Sequence, residues 1–148
     1  MKLRTLTEQD WNTLCNWWEA WPKWVNPPKS FLPDNGKGGF MVEKDGKPIC
    51  AGFIYLTNSD AVLLEWIVSD PEYRESDRKD ALELLITGAE AACKEIGKKF
   101  ISVNLRYSKI SNEFRNVTVD EINLIIKKLK LKYKNIPIIL LTSYEDFL

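Results

Sequence analysis

A chain of 148 residues with 45% hydrophobic and 28% charged content is long enough for one domain with a real core, and its composition is ordinary for a globular protein. The 21 Lys and Arg balance the 21 Asp and Glu, so no global field selects nucleic acid or an anionic membrane. Histidine is absent, which excludes histidine-based triads, histidine metal sites and the usual neutral-pH proton shuttle, while Cys15, Cys50 and Cys93 form no close-spaced pair and read as buried, reduced thiols.

The opening MKLRTLTEQDW holds no apolar run of signal-peptide type. No stretch approaches the ~20 apolar residues that cross a bilayer, so the expected location is cytoplasmic with no membrane partner. Residues 2–6 alternate polar and apolar, as a short strand does. Thr7 is placed to cap a helix, with Asp10 at its third position. Trp11, Leu14, Cys15 and Trp18 recur at helical spacing, and Pro22 stops the helix near residues 20–21.

Residues 22–39 are rich in Pro and Gly and predict a loop, with one helical turn near residues 28–32. The segment FMVEKDGKPICAGFIYL predicts a hairpin around Asp45-Gly46, and AVLLEWIVS a third strand of that sheet. A long helix is expected over about residues 77–96. Its buried stripe is read as Leu82, Leu85, Ile86, Ala89, Cys93 and Ile96, and Gly97 closes it. FISVNL predicts the next strand. Beyond Tyr107 the pattern gives a loop, a helix capped by Thr118 and running to about residue 132, and a last strand, IPIILLT. Strands and helices mix without regular βαβ alternation, which predicts an α/β (α+β) single domain around one mixed sheet rather than a doubly wound nucleotide fold.

This order resembles the GCN5-related N-acetyltransferase (GNAT) superfamily over about residues 2–104. LRTLTEQDWNTLCNWW is similar to that family's opening strand and helix. GGFMVEKDGKPICAGFIYL is similar to its central hairpin, and the Val68-x-x-Pro-x-x-Arg74 turn with the helix after it to its cofactor motif. The resemblance implies a mainly antiparallel central sheet flanked by helices, with acetyl-CoA as co-substrate, no metal, and direct attack by a primary amine of a small molecule or a protein. In the family, a glycine-rich turn and a helix N-terminus cradle the pyrophosphate. Here the matching residues are Arg74, Glu75, Ser76, Asp77, Arg78 and Lys79, and both glycine positions carry charge. The charged Arg-x-x-Asp-Arg turn resembles that of phage-type members. A carboxylate ~5 Å from a phosphate costs about 3 kcal/mol at an effective dielectric of 20. The arrangement that avoids this cost turns Arg74, Arg78 and Lys79 inward and the acids outward. The competing reading is a solvated helix cap with surface ion pairs.

By the same resemblance, the main chains of Ile67 and Val68 meet the acyl group. Glu65, in an apolar strand with Leu63 and Ile67 as its neighbours on one face, is the candidate base, or else an edge-facing or salt-bridged glutamate. Tyr107 and Tyr133 are the candidate acids for the leaving thiolate, with amphipathic packing as the plainer account. Five of the six tryptophans crowd residues 11–24 and Trp66 stands apart; Trp11 and Trp18 read as core, whereas Trp21, Trp24 and Phe31 are the candidates for gripping an apolar or cationic acceptor. The lysine run at 127–134 reads as a solvated helix end, with nucleic-acid contact as the lesser alternative. The tail admits an extra loop, a missing strand, or exchange of the last strand in a homodimer. The leading expectation is an N-acetyltransferase; the alternative is a GNAT-shaped binding protein without catalysis.

Overall fold

The computed structural model describes residues 1–22, 24–104 and 138–141. Six strands, β1 (Lys2–Thr5), β2 (Gly39–Lys44), β3 (Lys47–Leu56), β4 (Ala61–Ser69), β5 (Phe100–Asn104) and β6 (Ile138–Leu141), lie side by side in chain order in one sheet. The ladders from β1 to β4 are antiparallel, whereas β4–β5 and β5–β6 are parallel. The expected mixed, mainly antiparallel sheet is therefore the one present. Helix α1 (Trp11–Ala20) covers one face and α2 (Arg78–Glu95) the other. The expected helix at 118–132, the lysine run at 127–134, Tyr107 and Tyr133 lie outside the described residues.

Local signals account for most boundaries. Asp45 and Gly46 both have positive φ, 53° and 76°, which gives the two-residue turn whose twist matches its strands. Thr7 donates its backbone N–H to the Asp10 carboxylate at 2.8 Å, and a single 3₁₀ turn (Glu8–Asp10) leads into α1. Arg4 on β1 forks onto both Asp10 oxygens at 2.8 Å and donates to Glu43 on β2 at 2.7 Å, so one guanidinium ties two strands to the start of the helix. Burial pushes the Asp10 carboxyl up, but the bonds from Arg4 and Thr7 outweigh it and hold the group below the usual carboxylate range. At the far end of α2, Gly97 (φ 80°) and Lys98 return their N–H groups to Lys94 and Cys93, which satisfies the last carbonyls of the helix.

The buried stripe of α2 is rotated from the expected one. Ala81, Leu85, Ala89 and Cys93 are buried, Leu82 and Ile86 are only half-buried, and Ile96 is exposed. The cause is close approach: small residues at 81 and 89 let the helix lie against the sheet, where Leu85 packs with Val42, Ile49 and Cys50. Burial pushes the Cys50 thiol up to about 12 and that of Cys93 to about 11, which leaves both protonated at neutral pH.

Candidate functional site

The register between β3 and β4 slips at one place. Ala51 pairs with Val68 but Phe53 pairs with Glu65, so Trp66 and Ile67 together oppose Gly52. This is a β-bulge, and Trp66 takes a φ of 54° to make it. Left-handed backbone is unfavourable for so large a side chain, and strain of this kind persists only where the surroundings enforce it. Gly52 is part of the enforcement. A Cβ there would lie 3.0 Å from Leu64 and 3.3 Å from both Ile67 and Leu85, so the helix-facing side of the bulge has no room for a larger residue.

The bulge re-aims the side chains of β4. Ile67 turns to the α2 face with Leu64 and Leu85, while Trp66 and Val68 pack with the α1-side cluster. Glu65 pairs across to Phe53, which belongs to that α1-side cluster, and its charge helps burial to raise the Tyr55 hydroxyl. The sequence reading that set Glu65 and Ile67 on one face is therefore corrected, because the extra residue in the strand separates them. Trp66 does not stand apart either. Its ring lies 5.6 Å from Trp24, 5.5 Å from Phe31 and 6.1 Å from Trp18, each edge to face. Trp18 is fully buried and stacks on Phe53, as befits a core residue.

Residues 24–36 wrap over this wall and are pinned at several points. Tyr55 donates its hydroxyl to the Phe31 carbonyl at 3.2 Å, and Asn26 donates to Glu19 at 2.6 Å. Lys29 pairs with Glu8 and sits 5.0 Å over the Trp11 ring. Leu32 is buried beneath, while Phe31 keeps 55% of its surface exposed.

The charged turn sits where β4 ends and α2 begins. Arg78 donates to the Ser69 hydroxyl at 2.5 Å and to the Tyr73 carbonyl at 3.3 Å, and its guanidinium lies 5.9 Å from the Trp21 ring. Trp21 in turn donates its indole N–H to the Ser69 carbonyl at 3.0 Å. Asp77 points to the β2–β3 hairpin instead. One oxygen accepts from Lys44 at 2.6 Å and the other from Tyr73 at 2.7 Å. Those two bonds, Lys44 first, hold its carboxyl below the usual range. Arg74, Glu75, Ser76 and Lys79 are exposed around the same mouth. The structure thus gathers Trp21, Ile67, Val68, Asp77 and Arg78 at the C-terminal half of β4, and Trp24, Phe31, Glu65 and Trp66 beside its bulge.

Sequence reasoning missed five participants: Lys44, Gly52, Tyr55, Trp66 and Ser69. Lys44 is 33 positions from Asp77, and no local pattern links them. A bulge leaves no mark in AVLLEWIVS beyond an unusual Glu-Trp pair inside an apolar run.

An antiparallel sheet that turns parallel after a bulged fourth strand, with a helix starting at the end of that strand, is a specific architecture. Ribosomal-protein-S18-alanine N-acetyltransferase from Escherichia coli matches it, with a TM-score of 0.57 at 17% identity over 75% of this chain and 70% of that one. Diaminobutyrate acetyltransferase from Paenibacillus lautus, solved with L-2,4-diaminobutyric acid and coenzyme A, gives 0.57 at 16% identity over 76% and 69%. The chain has the GNAT fold. A third match is N-acetylglutamate synthase from Neisseria gonorrhoeae, solved with coenzyme A and N-acetyl-glutamate; it gives 0.56 at 12% identity over 68% of this chain and 24% of that one. Identities this low carry the GNAT architecture and leave the chemistry to the residues of the site. No family model and no curated protein matches the sequence. Among the described residues, no helix is long and apolar enough to cross a membrane, and no group of three or more acids or cysteines is placed to hold a metal ion.

Proposed function

We propose that this GNAT-fold chain is a cytoplasmic N-acetyltransferase that moves the acetyl group of acetyl-CoA to a primary amine. The observation that carries the reading is the opposite placement of Arg78 and Asp77 at the mouth of α2. The cation lies against the end of β4 and the anion is drawn off to Lys44 and Tyr73. The absence of glycine is thereby offset, because the carboxylate that would repel a phosphate already has two donors of its own. The helix mouth retains its favourable dipole, and Arg78, with Arg74 and Lys79 exposed nearby, supplies donors that suit phosphate oxygens. The residues present therefore fit acetyl-CoA, whose thioester would supply an activated acyl carbonyl.

Each remaining step falls to the chain's own groups. Among the described residues, the ladder from β4 to β5 runs only over Ala61–Leu64, and the β5-facing main chain beyond it, at Ile67 and Val68, is the proposed donor edge for a carbonyl oxygen. Glu65 takes a proton from the incoming ammonium. The freed nitrogen forms its bond to the acyl carbon as the C–S bond breaks, and the sulfur leaves with the electron pair; a tyrosine hydroxyl gives the thiolate its proton and recovers the one that nitrogen sheds. Tyr107 and Tyr133 are the proposed donors to the thiolate. Trp21 braces the Arg78 end, while Trp24 and Phe31 line the acceptor side.

The test is calorimetric titration with acetyl-CoA, followed by free-thiol release across a panel of amines. Micromolar binding and amine-dependent thiol release are expected; no heat at millimolar ligand overturns the reading. One feature favours the second reading, a GNAT-shaped binding protein. Asp77 keeps a carboxylate at a helix mouth where the resemblance calls for glycine. Binding of acetyl-CoA without thiol release from any amine would establish that alternative.

A further inference from the structure

The residue that opens α2 has the chemistry of a helix cap and does not act as one. Asp77 stands just before the first helical residue, where a carboxylate ordinarily accepts from the N–H of the second or third helical position. Its side chain makes no such bond, and its backbone (φ -88°, ψ 9°) lacks the extended form of a capping residue. Both of its oxygens are taken elsewhere, by Lys44 at 2.6 Å and Tyr73 at 2.7 Å. The β2–β3 hairpin makes a second contact with the same turn, because Lys47 Nζ lies 5.6 Å over the Tyr73 ring. Lys44 and Lys47 flank Asp45-Gly46, so one tight hairpin presents both lysines to residues 73–77. Tyr73 is buried and held by ring and hydroxyl alike, whereas the Lys44 side chain is 44% exposed and reaches across 33 positions of sequence for this one carboxylate.

Resting on the acetyl-CoA reading, we propose that Lys44 and Tyr73 are positioning residues that hold the Asp77 carboxylate off its own helix and so keep it from competing with the coenzyme's phosphates. Neither has to touch the ligand. A helix N-terminus favours an anion, and the nearest anion to this one is Asp77 itself. Released from the hairpin, Asp77 turns onto the N–H of Asp80, the third helical position, and caps α2. A self-cap of this kind would take a donor and add a negative charge where the phosphates sit. Two anions compete for one helix end, and the hairpin decides between them.

The experiment is calorimetric titration of acetyl-CoA into the full chain and three sets of variants. The double variant Lys44→Met with Tyr73→Phe is expected to raise Kd about tenfold, the factor that about 1.4 kcal/mol gives. Adding Asp77→Ala to it is expected to bring Kd back to within about twofold of the wild type, a coupling that only residues acting through one another show. Lys44→Arg, which keeps the charge, is expected to bind as the wild type does. Amide hydrogen exchange without ligand gives a second readout: the Asp80 N–H exchanges more slowly in the double variant than in the wild type. An unchanged Kd in the double variant, or unchanged exchange at Asp80, overturns the inference and leaves acetyl-CoA binding standing. Failure of Asp77→Ala to restore Kd also overturns it, since Lys44 and Tyr73 would then either touch the ligand or merely brace the turn. Absence of acetyl-CoA binding to the wild type overturns both this inference and the reading beneath it.

Discussion

On the α1 side of β4, Trp18, Trp24, Phe31 and Trp66 meet ring to ring; at the C-terminal end of the same strand, Ser69, Tyr73, Asp77, Arg78 and Lys44 meet through charged hydrogen bonds. The first region is held by apolar area, which is indifferent to salt and to pH. The second is a set of local pairings, each with a donor and an acceptor in place. The difference shows how one strand supports two surfaces of different chemistry. Rings need only to be brought together, so the aromatic wall tolerates a strained bulge at Trp66 as the means of doing so. Charges must be paired or turned away, so the helix mouth depends on a partner from the hairpin. Trp21 joins the regions, with its indole N–H on Ser69 and its ring beside Arg78.

The contrast breaks most visibly at Trp18. Its side chain is fully buried, and Trp18→Ala is expected to cost about 3–5 kcal/mol and to lower Tm by roughly 10 °C or more. Thermal unfolding followed by circular dichroism reads this directly, and a fall under about 3 °C would show that the aromatic wall is not a structural unit. Arg78→Ala separates the two regions from the other side. It removes charge-assisted bonds that contribute about 1.5–3 kcal/mol to an anion, so the Kd for acetyl-CoA rises tenfold or more while Tm moves little. A Tm loss as large as that of Trp18→Ala would make Arg78 a structural residue.

Gly52→Ala probes the bulge between the regions. The added methyl meets Leu64, Ile67 and Leu85 and costs about 1–3 kcal/mol of overpacking. Turnover should fall more than stability does, since the main chain of Ile67 must shift; urea midpoints and thiol-release rates on the same preparation compare the two.

The pH dependence of stability sharpens the contrast further. Lys44 and Tyr73 hold the Asp77 carboxyl below its ordinary value, so its unfolded pKa of about 3.9 exceeds its folded one. Its contribution is therefore complete above that value and is lost as pH falls through the lower folded one. Urea midpoints of Asp77→Asn should lie below those of the wild type at pH 7 and converge with them below about pH 4. Substitutions confined to the aromatic wall should show no such convergence. The smallest effect is expected for Phe31→Ala, whose exposed ring contributes within about 0.5 kcal/mol of stability, or a Tm change under about 2 °C.

Much of the frame was written locally. Asp45-Gly46 specifies its hairpin because two consecutive positive φ values suit few other pairs. Gly97 ends α2 for the same conformational reason, and Thr7 with Asp10 starts the first helical turn. The cations of the α2 mouth were also legible, because 74–79 concentrates charge where a helix begins. The placement of each charge was not. Asp77 and Arg78 are adjacent in sequence, and only the fold sends one to Lys44 and the other to Ser69.

The sequence by itself determined the alternation of strand and helix, the turns, and the chemical character of each segment, since periodicity and turn residues act over a few positions. The tertiary structure decided the bulge, the convergence of Trp24, Phe31 and Trp66, the face that Glu65 shares, and the partner of Asp77. The physical reason is that register is a property of two strands at once. The extra residue opposite Gly52 re-aims every side chain after it, and no window along a single strand contains that sum.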